Sequence, residues 1–307
     1  MWEAVGKDIS LEPPVPFSEN IYLGFKQQNV EPPLEHIASC KEFSNIVNSV
    51  ALKSTSATCG KQLPPSQSDA VGGVQNKALK VVSELPIRAL QYSMIGHAEQ
   101  CVERYLELTG KNLEALKPAA TPCIDDHMFT QEDFSKKGEV ADVAARIVLK
   151  ALYLARTNRP DILWTVSSLA RKVTKWDVSC DKRLLRLISY LHCTKDKVIT
   201  SYVGDEVKDC NVHLFVDASF AGDLEGSKST SGAMVVLVGP NTWVPITWLC
   251  KKQGAVSHLS TEAEVIALET ALRMEGIPSV MLWDVVLEIF RVKQLTPKEK
   301  ASHDVHM

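Results

Sequence analysis

The sequence predicts an α/β fold, a mixed sheet preceded by a mainly helical region. Three observations predict it. Between ~86 and ~195 apolar residues recur at the helical period. At ~200 the texture changes to short apolar runs bounded by Gly and Pro, which read as strands. From Thr261 a helical pattern returns, and strand–strand–strand–helix is a mixed-sheet order.

Along the chain, Leu11 to Pro16 carries three prolines that forbid a helix, and Ile21 to Lys26 reads as a short strand broken at Gly24. Residues 31–85 are rich in Ser, Pro, Gly and Gln, as in Gln62 to Ser68, and predict a flexible insertion. Arg88–Leu108, stopped by Thr109-Gly110, predicts the first helix. Ala144, Ile147, Val148, Ala151, Leu152 and Ala155 form one apolar helical face. The next helix opens at Asn158-Arg159-Pro160-Asp161, with proline in the first turn and an acid near the positive helix end. It buries Ile162, Val166, Leu169, Ala170 and Val173, and a further helix buries Leu184, Leu187, Ile188 and Leu191. Strands follow at Val212–Asp217, Ala233–Val238 and Val244–Leu249, with Ala255–His258 as part of an edge. Helices are expected from Thr261 to about Met274 and over Val280–Phe290.

Bulk properties narrow the classes. The chain has 307 residues, 45% hydrophobic and 23% charged, enough for two domains with sizeable cores. No apolar run reaches the ~18 residues of a membrane span. The first residues carry acids and no apolar stretch of signal-peptide type. The eight cysteines are scattered with no CxxC pair, which argues for reduced thiols without disulfide partners and for an intracellular, cytoplasmic or nuclear protein. A net charge of −3 counts against a broadly basic surface that binds nucleic acid unaided.

The chemistry-bearing pair is Asp217 and Glu264. Asp217 closes an apolar strand, where a carboxylate sits at the lip of a sheet, and Glu264 lies in the first turn of the helix that follows. Hard divalent cations take oxygen ligands, and two-metal phosphodiester hydrolysis needs several carboxylates from different elements. Blander readings stand beside this one. Thr261-Glu262-Ala263-Glu264 also fits a helix capping box, and Asp217 also fits a turn residue.

A family resemblance weighs on that choice. Phe215 to Asp223 looks like the "VDADWAGD" opening of the RNase H domain in copia-type retrotransposon Pol polyproteins. Lys228-Ser229-Thr230-Ser231-Gly232 matches its "KSTSG". Ile246 to Gln253 is similar to "ISWSSKKQ", and Leu259 to Glu264 to "LSSTEAE". Upstream, Ala151 to Ile162 resembles the "LLYLAxxTRPDI" segment that follows the reverse-transcriptase palm, and Tyr22-Leu23-Gly24 fits the earlier "YLG" strand. The four ordered motifs set aside an unrelated helical adaptor.

The resemblance implies a fragment of reverse transcriptase and RNase H. Its expected parts are a residual reverse-transcriptase strand region over 1–30 and the insertion over 31–85. A helical connection or thumb-like region over 86–205, a truncated RNase H-like domain over 206–290 and a charged tail over 291–307 complete it. Asp217 and Glu264 would be two of four carboxylates that hold Mg2+ or Mn2+ for cleavage of RNA in an RNA–DNA hybrid. Lys228 and Ser229 would meet a phosphate or, on the blander reading, serve as polar residues of a hairpin connection. Asp223 reads as a turn residue. The family's later strand with a "DN" pair has no match here, and Asp284 sits in a helical pattern that does not replace it. His303, Asp304 and His306 form a loose cluster in the tail, the polymerase "YxDD" is absent, and Ser219-Phe220 departs from the family's tryptophan. The expectation is an RNase H-type unit without activity, or a non-catalytic remnant that binds nucleic acid or protein.

Overall fold

The computed structural model describes residues 21–22, 24–32, 38, 42, 86–222 and 226–289. Most of the insertion expected over 31–85, the tail over 291–307, and Asp223, His303, Asp304 and His306 lie outside them. The described residues fall into two units, divided between Thr200 and Ser201 in the later part of the chain.

In the first unit, β1 (Ile21–Tyr22) pairs antiparallel with β2 (Phe25–Val30). Gly24 turns the chain between them at φ 86°, a left-handed conformation that suits glycine. β3 (Arg88–Ser93), which enters this unit at Leu90, lies beside β2. The expected helix over Arg88–Leu108 is thereby corrected. Its first six residues are strand, and α1 begins only at Ile95 (Ile95–Thr109), ending on Gly110 at φ 66°. Distant partners decide the strand: Tyr92 packs edge-on against Phe25, Gln91 bonds Gln28, and Asn158 Nδ2 donates to the Tyr92 carbonyl at 2.8 Å.

The helical layer continues with α2 (Gln131–Ser135), α3 (Ala144–Thr157), α4 (Leu163–Lys172) and α5 (Val178–Cys193). The predicted apolar faces meet here. Ile147, Val148, Ala151, Val166, Leu169, Leu184, Leu187, Ile188 and Leu191 are buried, while Leu152, Ala170 and Val173 are half-buried. Pro160 starts a short 3-10 turn over Pro160–Ile162, and α4 follows it.

Beside that turn, Arg159 is 3% exposed. Its guanidinium grips Asp161 through two 2.8 Å bonds and donates two more to the Thr194 carbonyl and hydroxyl, just past the end of α5. The Tyr190 hydroxyl donates to Asp161 Oδ2 at 2.8 Å. The Asn-Arg-Pro-Asp segment therefore ties the link between α3 and α4 to the C-terminal end of α5.

β4 (Ile199–Val203) enters the second unit at Ser201. It is followed by β5 (Asn211–Ser219), β6 (Thr230–Gly239) and β7 (Thr242–Lys252), in the spatial order β4-β7-β6-β5. The α/β class holds, and the registered pairs of this unit are all antiparallel, so the three strands expected at Val212–Asp217, Ala233–Val238 and Val244–Leu249 form one antiparallel run. Hairpin-length connections favour that direction, because parallel strands need long crossovers. Ala255–His258 forms no strand; this stretch carries the chain from β7 to the next helix.

α6 (Ser260–Ala271) runs through a π-helical turn (Leu272–Gly276) into α7 (Ile277–Ile289). The two helices expected here thus join without a break. Pro278 lacks the N–H that an α-helix would aim at Met274, and its ring crowds that carbonyl; a widened turn accommodates both. Thr247 Oγ1 pins the turn to β7 by a 2.9 Å bond to Glu275. Gly276 lets the turn approach the sheet, since a Cβ there would come within 3.1 Å of Leu214 Cδ2. Val212, Leu214 and Val235 pack with Ala271 as the core, flanked by Val216, Ala233, Leu237, Leu272 and Trp283.

No helix among the described residues is long and apolar enough to cross a membrane. The six described cysteines are free thiols. Burial pushes the Cys101 thiol up to about 12, and those of Cys180 and Cys210 up to about 11. Because the thiolate is the reactive form, a thiol reagent at pH ~8 is expected to label exposed Cys193 first among the described cysteines. Cys101, Cys180 and Cys210 should react only on unfolding. Peptide mass mapping after short labelling checks this, and rapid native labelling of Cys101 would contradict it.

Candidate carboxylate site

Asp217 lies inside β5, two residues before its end, paired with Gly232 of β6. Val212, Leu214 and Val216 face the α6–α7 rod. Side chains alternate along a strand, so the unbroken β5–β6 register puts Asp217 on the other face, with His213 and Phe215. Asp217 is exposed there. Gly232 leaves room beside it: a Cβ built on that glycine meets only the Asp217 main-chain oxygen, at 3.7 Å.

Glu264 is the fifth residue of α6 and is also exposed. It flanks the buried stripe Ala263, Ala267 and Ala271, spaced four residues apart, which seats the helix on β5 and β6. Glu264 does not form the capping box: the N-cap Leu259 has no side-chain cap bond, and it is Glu262 Oε2 that accepts the His258 N–H, at 2.7 Å, one residue before the cap. Among the described residues, neither the Asp217 nor the Glu264 side chain has a hydrogen-bond or ion-pair partner.

The four motif segments converge on Gln253, which follows β7 and is buried. Its Nε2 donates to Ser231 Oγ at 3.1 Å and to the Ala263 carbonyl at 2.8 Å. Its Oε1 accepts the Ser257 hydroxyl at 3.1 Å, and its main-chain N–H donates to the Ser229 carbonyl at 2.9 Å. Ser229 Oγ in turn accepts the Ala221 N–H at 3.1 Å. Ser231 and Gln253 stand inside two of the motifs but carried no assigned role, and Ser257 stands in none. The signals were those motif positions and a serine at 231 in step with inward-facing Ala233 and Val235.

The phosphate contacts expected of Lys228 and Ser229 meet a closed environment. Ser229 is 0% exposed. Lys228 is half-buried, and its ammonium donates to the Gly254 carbonyl at 2.5 Å.

The donor set does not fit a resident divalent cation among the described residues. No group of three or more His, Cys, Asp or Glu side chains is placed to hold one. Asp284 is on the far helix α7, exposed to solvent.

Three similar proteins are Pol polyproteins of plant transposons. The retrovirus-related Pol polyprotein from transposon RE2 of Arabidopsis thaliana is 33% identical over 175 residues, 57% of this chain and 11% of that protein. Its counterpart from transposon RE1 of the same plant is 31% identical, with the same 57% and 11% covered. The one from transposon TNT 1-94 of Nicotiana tabacum is 26% identical over 212 residues, 67% of this chain and 14% of that protein. The chain thus spans 11–14% of the length of these relatives. No family model and no solved structure matches it.

Proposed function

Since the chain belongs to the copia-type retrotransposon Pol polyproteins, we propose that its second unit descends from an RNase H-type nuclease and does not itself cleave RNA–DNA hybrids. The first unit would correspond to the helical region after the reverse-transcriptase palm. One observation carries the proposal: the motif residues hold the frame together, while among the described residues no third acid joins Asp217 and Glu264. Gln253, Ser229 and Ser231 join β6, β7 and the start of α6. Asp217 and Glu264 have no third ligand-type partner beside them among the described residues.

That shortfall bears on rate. Mg2+ or Mn2+, where enough carboxylates hold it, supplies an activated water and charge stabilisation in phosphodiester hydrolysis. A deficit of ~4 kcal/mol in transition-state stabilisation leaves roughly a thousandth of the rate. The alternating register strengthens the argument, since it sets Asp217 on the sheet face away from the rod that carries Glu264. What the unit keeps is a folded remnant fit at most for binding a hybrid or a protein.

The test uses the full chain, an end-labelled RNA–DNA hybrid and millimolar Mg2+ or Mn2+, beside an Asp217→Asn variant. The expected result is no metal-dependent cleavage, and no difference between the two proteins. Cleavage that requires the metal and disappears in Asp217→Asn would overturn the proposal. Asp223 and Asp304 would then be the residues to substitute next.

A further inference from the structure

α7 has two opposite apolar sides, and only one is covered. Ser279, Trp283 and Leu287 turn toward the core, where Trp283 packs on the sheet cluster. At about 100° per residue, Ile277, Met281, Leu282, Val285 and Ile289 share an arc of about 140° on the outside. They are exposed: Ile277 55%, Met281 64%, Leu282 58%, Val285 49% and Ile289 48%. An apolar stripe this wide is what a helix normally turns into a core.

One edge of the arc is charged. Asp284 lies just outside its Ile277 edge and Glu288, one turn on, lies just inside it, between the directions of Ile277 and Met281; both are exposed. Among the described residues neither has an ion-pair partner.

We propose that the outer face of α7 is a docking surface for an amphipathic helix whose apolar stripe is edged with lysine or arginine. The five side chains present apolar surface on the order of 500 Å², the size at which a patch marks an interaction site. That is more than half of the ~800 Å² one partner gives to a standard interface. The helix-on-helix geometry follows from the width and length of the stripe. The basic edge follows from Asp284 and Glu288, which have no ion-pair partner among the described residues. A second copy of this chain fits less well, because a two-fold axis near the middle of α7 would bring Asp284 against its own counterpart.

Two labelled synthetic helices with the same apolar stripe, one edged with lysine and one with glutamate, are titrated with the full chain and read by fluorescence anisotropy. The lysine-edged peptide should bind saturably and the glutamate-edged one at least tenfold more weakly. Asp284→Lys with Glu288→Lys should invert that preference. Met281→Glu should abolish binding with an unchanged thermal midpoint, because the side chain is mostly in water already; Val285→Glu is the second variant if it does not. Absence of saturable binding, or equal binding of both peptides, would overturn the proposal. Self-association of the chain that Met281→Glu dissolves would also overturn it, in favour of a second copy.

Discussion

Arg159→Met is expected to lower the unfolding free energy by about 3 kcal/mol, since removing one side of a buried ion pair leaves the other uncompensated. The side chain is 3% exposed, and four hydrogen bonds leave its guanidinium for Asp161 and Thr194. Methionine fills similar volume, so cavity formation contributes little. The loss stays at the low end of the buried-pair range because the Asp161 side chain is 32% exposed and keeps the Tyr190 hydroxyl. Burial alone would push the Asp161 carboxyl up, but the bonds and charge of Arg159, with Tyr190 and Lys197, hold it below its usual 3.8. A depressed carboxylate contributes stability that is fully present above its unfolded pKa and lost as pH falls through its folded one. For Asp161 that window lies below about pH 4. Urea unfolding at neutral pH should therefore show the full deficit, and the gap between wild type and variant should close in acid. A neutral-pH deficit under ~1 kcal/mol, or one that does not shrink in acid, would contradict this account.

Gln253→Leu should destabilise the second unit by about 2–4 kcal/mol, the cost of leaving several buried polar groups without partners. Leucine is close in size but makes none of the amide's bonds to Ser231, Ala263 and Ser257. The main-chain bond to Ser229 survives, so the loop after β7 should keep its place. The damage is expected to be local, at the junction of β6 and the first turn of α6. Hydrogen exchange should show lost protection over the first turns of α6, while α3 and α5 keep theirs. Ser257→Ala removes one bond of the set and should cost about 1 kcal/mol. Unchanged protection in α6 would mean that the glutamine is incidental to the frame.

Much of this was legible in the sequence. The faces of α3 and α5 follow from spacings repeated within one segment, and the buried residues came out nearly as expected. The cores of β5, β6 and β7 were equally plain as apolar runs. The exceptions share a feature. Arg88–Ser93 carries a pattern that serves helix or strand, and contacts from Phe25, Gln28 and Asn158, all more than 60 residues away in sequence, settle it. Ala255–His258 has strand-like composition yet forms no strand, because it is the short link that carries the chain from β7 into α6.

The carboxylate site divides along the same line. The sequence by itself determined that Asp217 lies in a strand, that Glu264 lies near the start of a helix, and that four motifs occur in copia order. It could not determine a face for Asp217, because β5 is apolar at both alternations, Val212, Leu214 and Val216 on one side and Phe215 on the other. Tertiary structure decided that by laying the α6–α7 rod over the Leu214 side. It also decided that Glu262 rather than Glu264 bonds back to the main chain before the helix, and that Ser229 is buried. Periodicity is a property of neighbours along the chain and survives in the sequence. Which face is covered, and which polar atom finds a partner, depends on elements brought together only by folding.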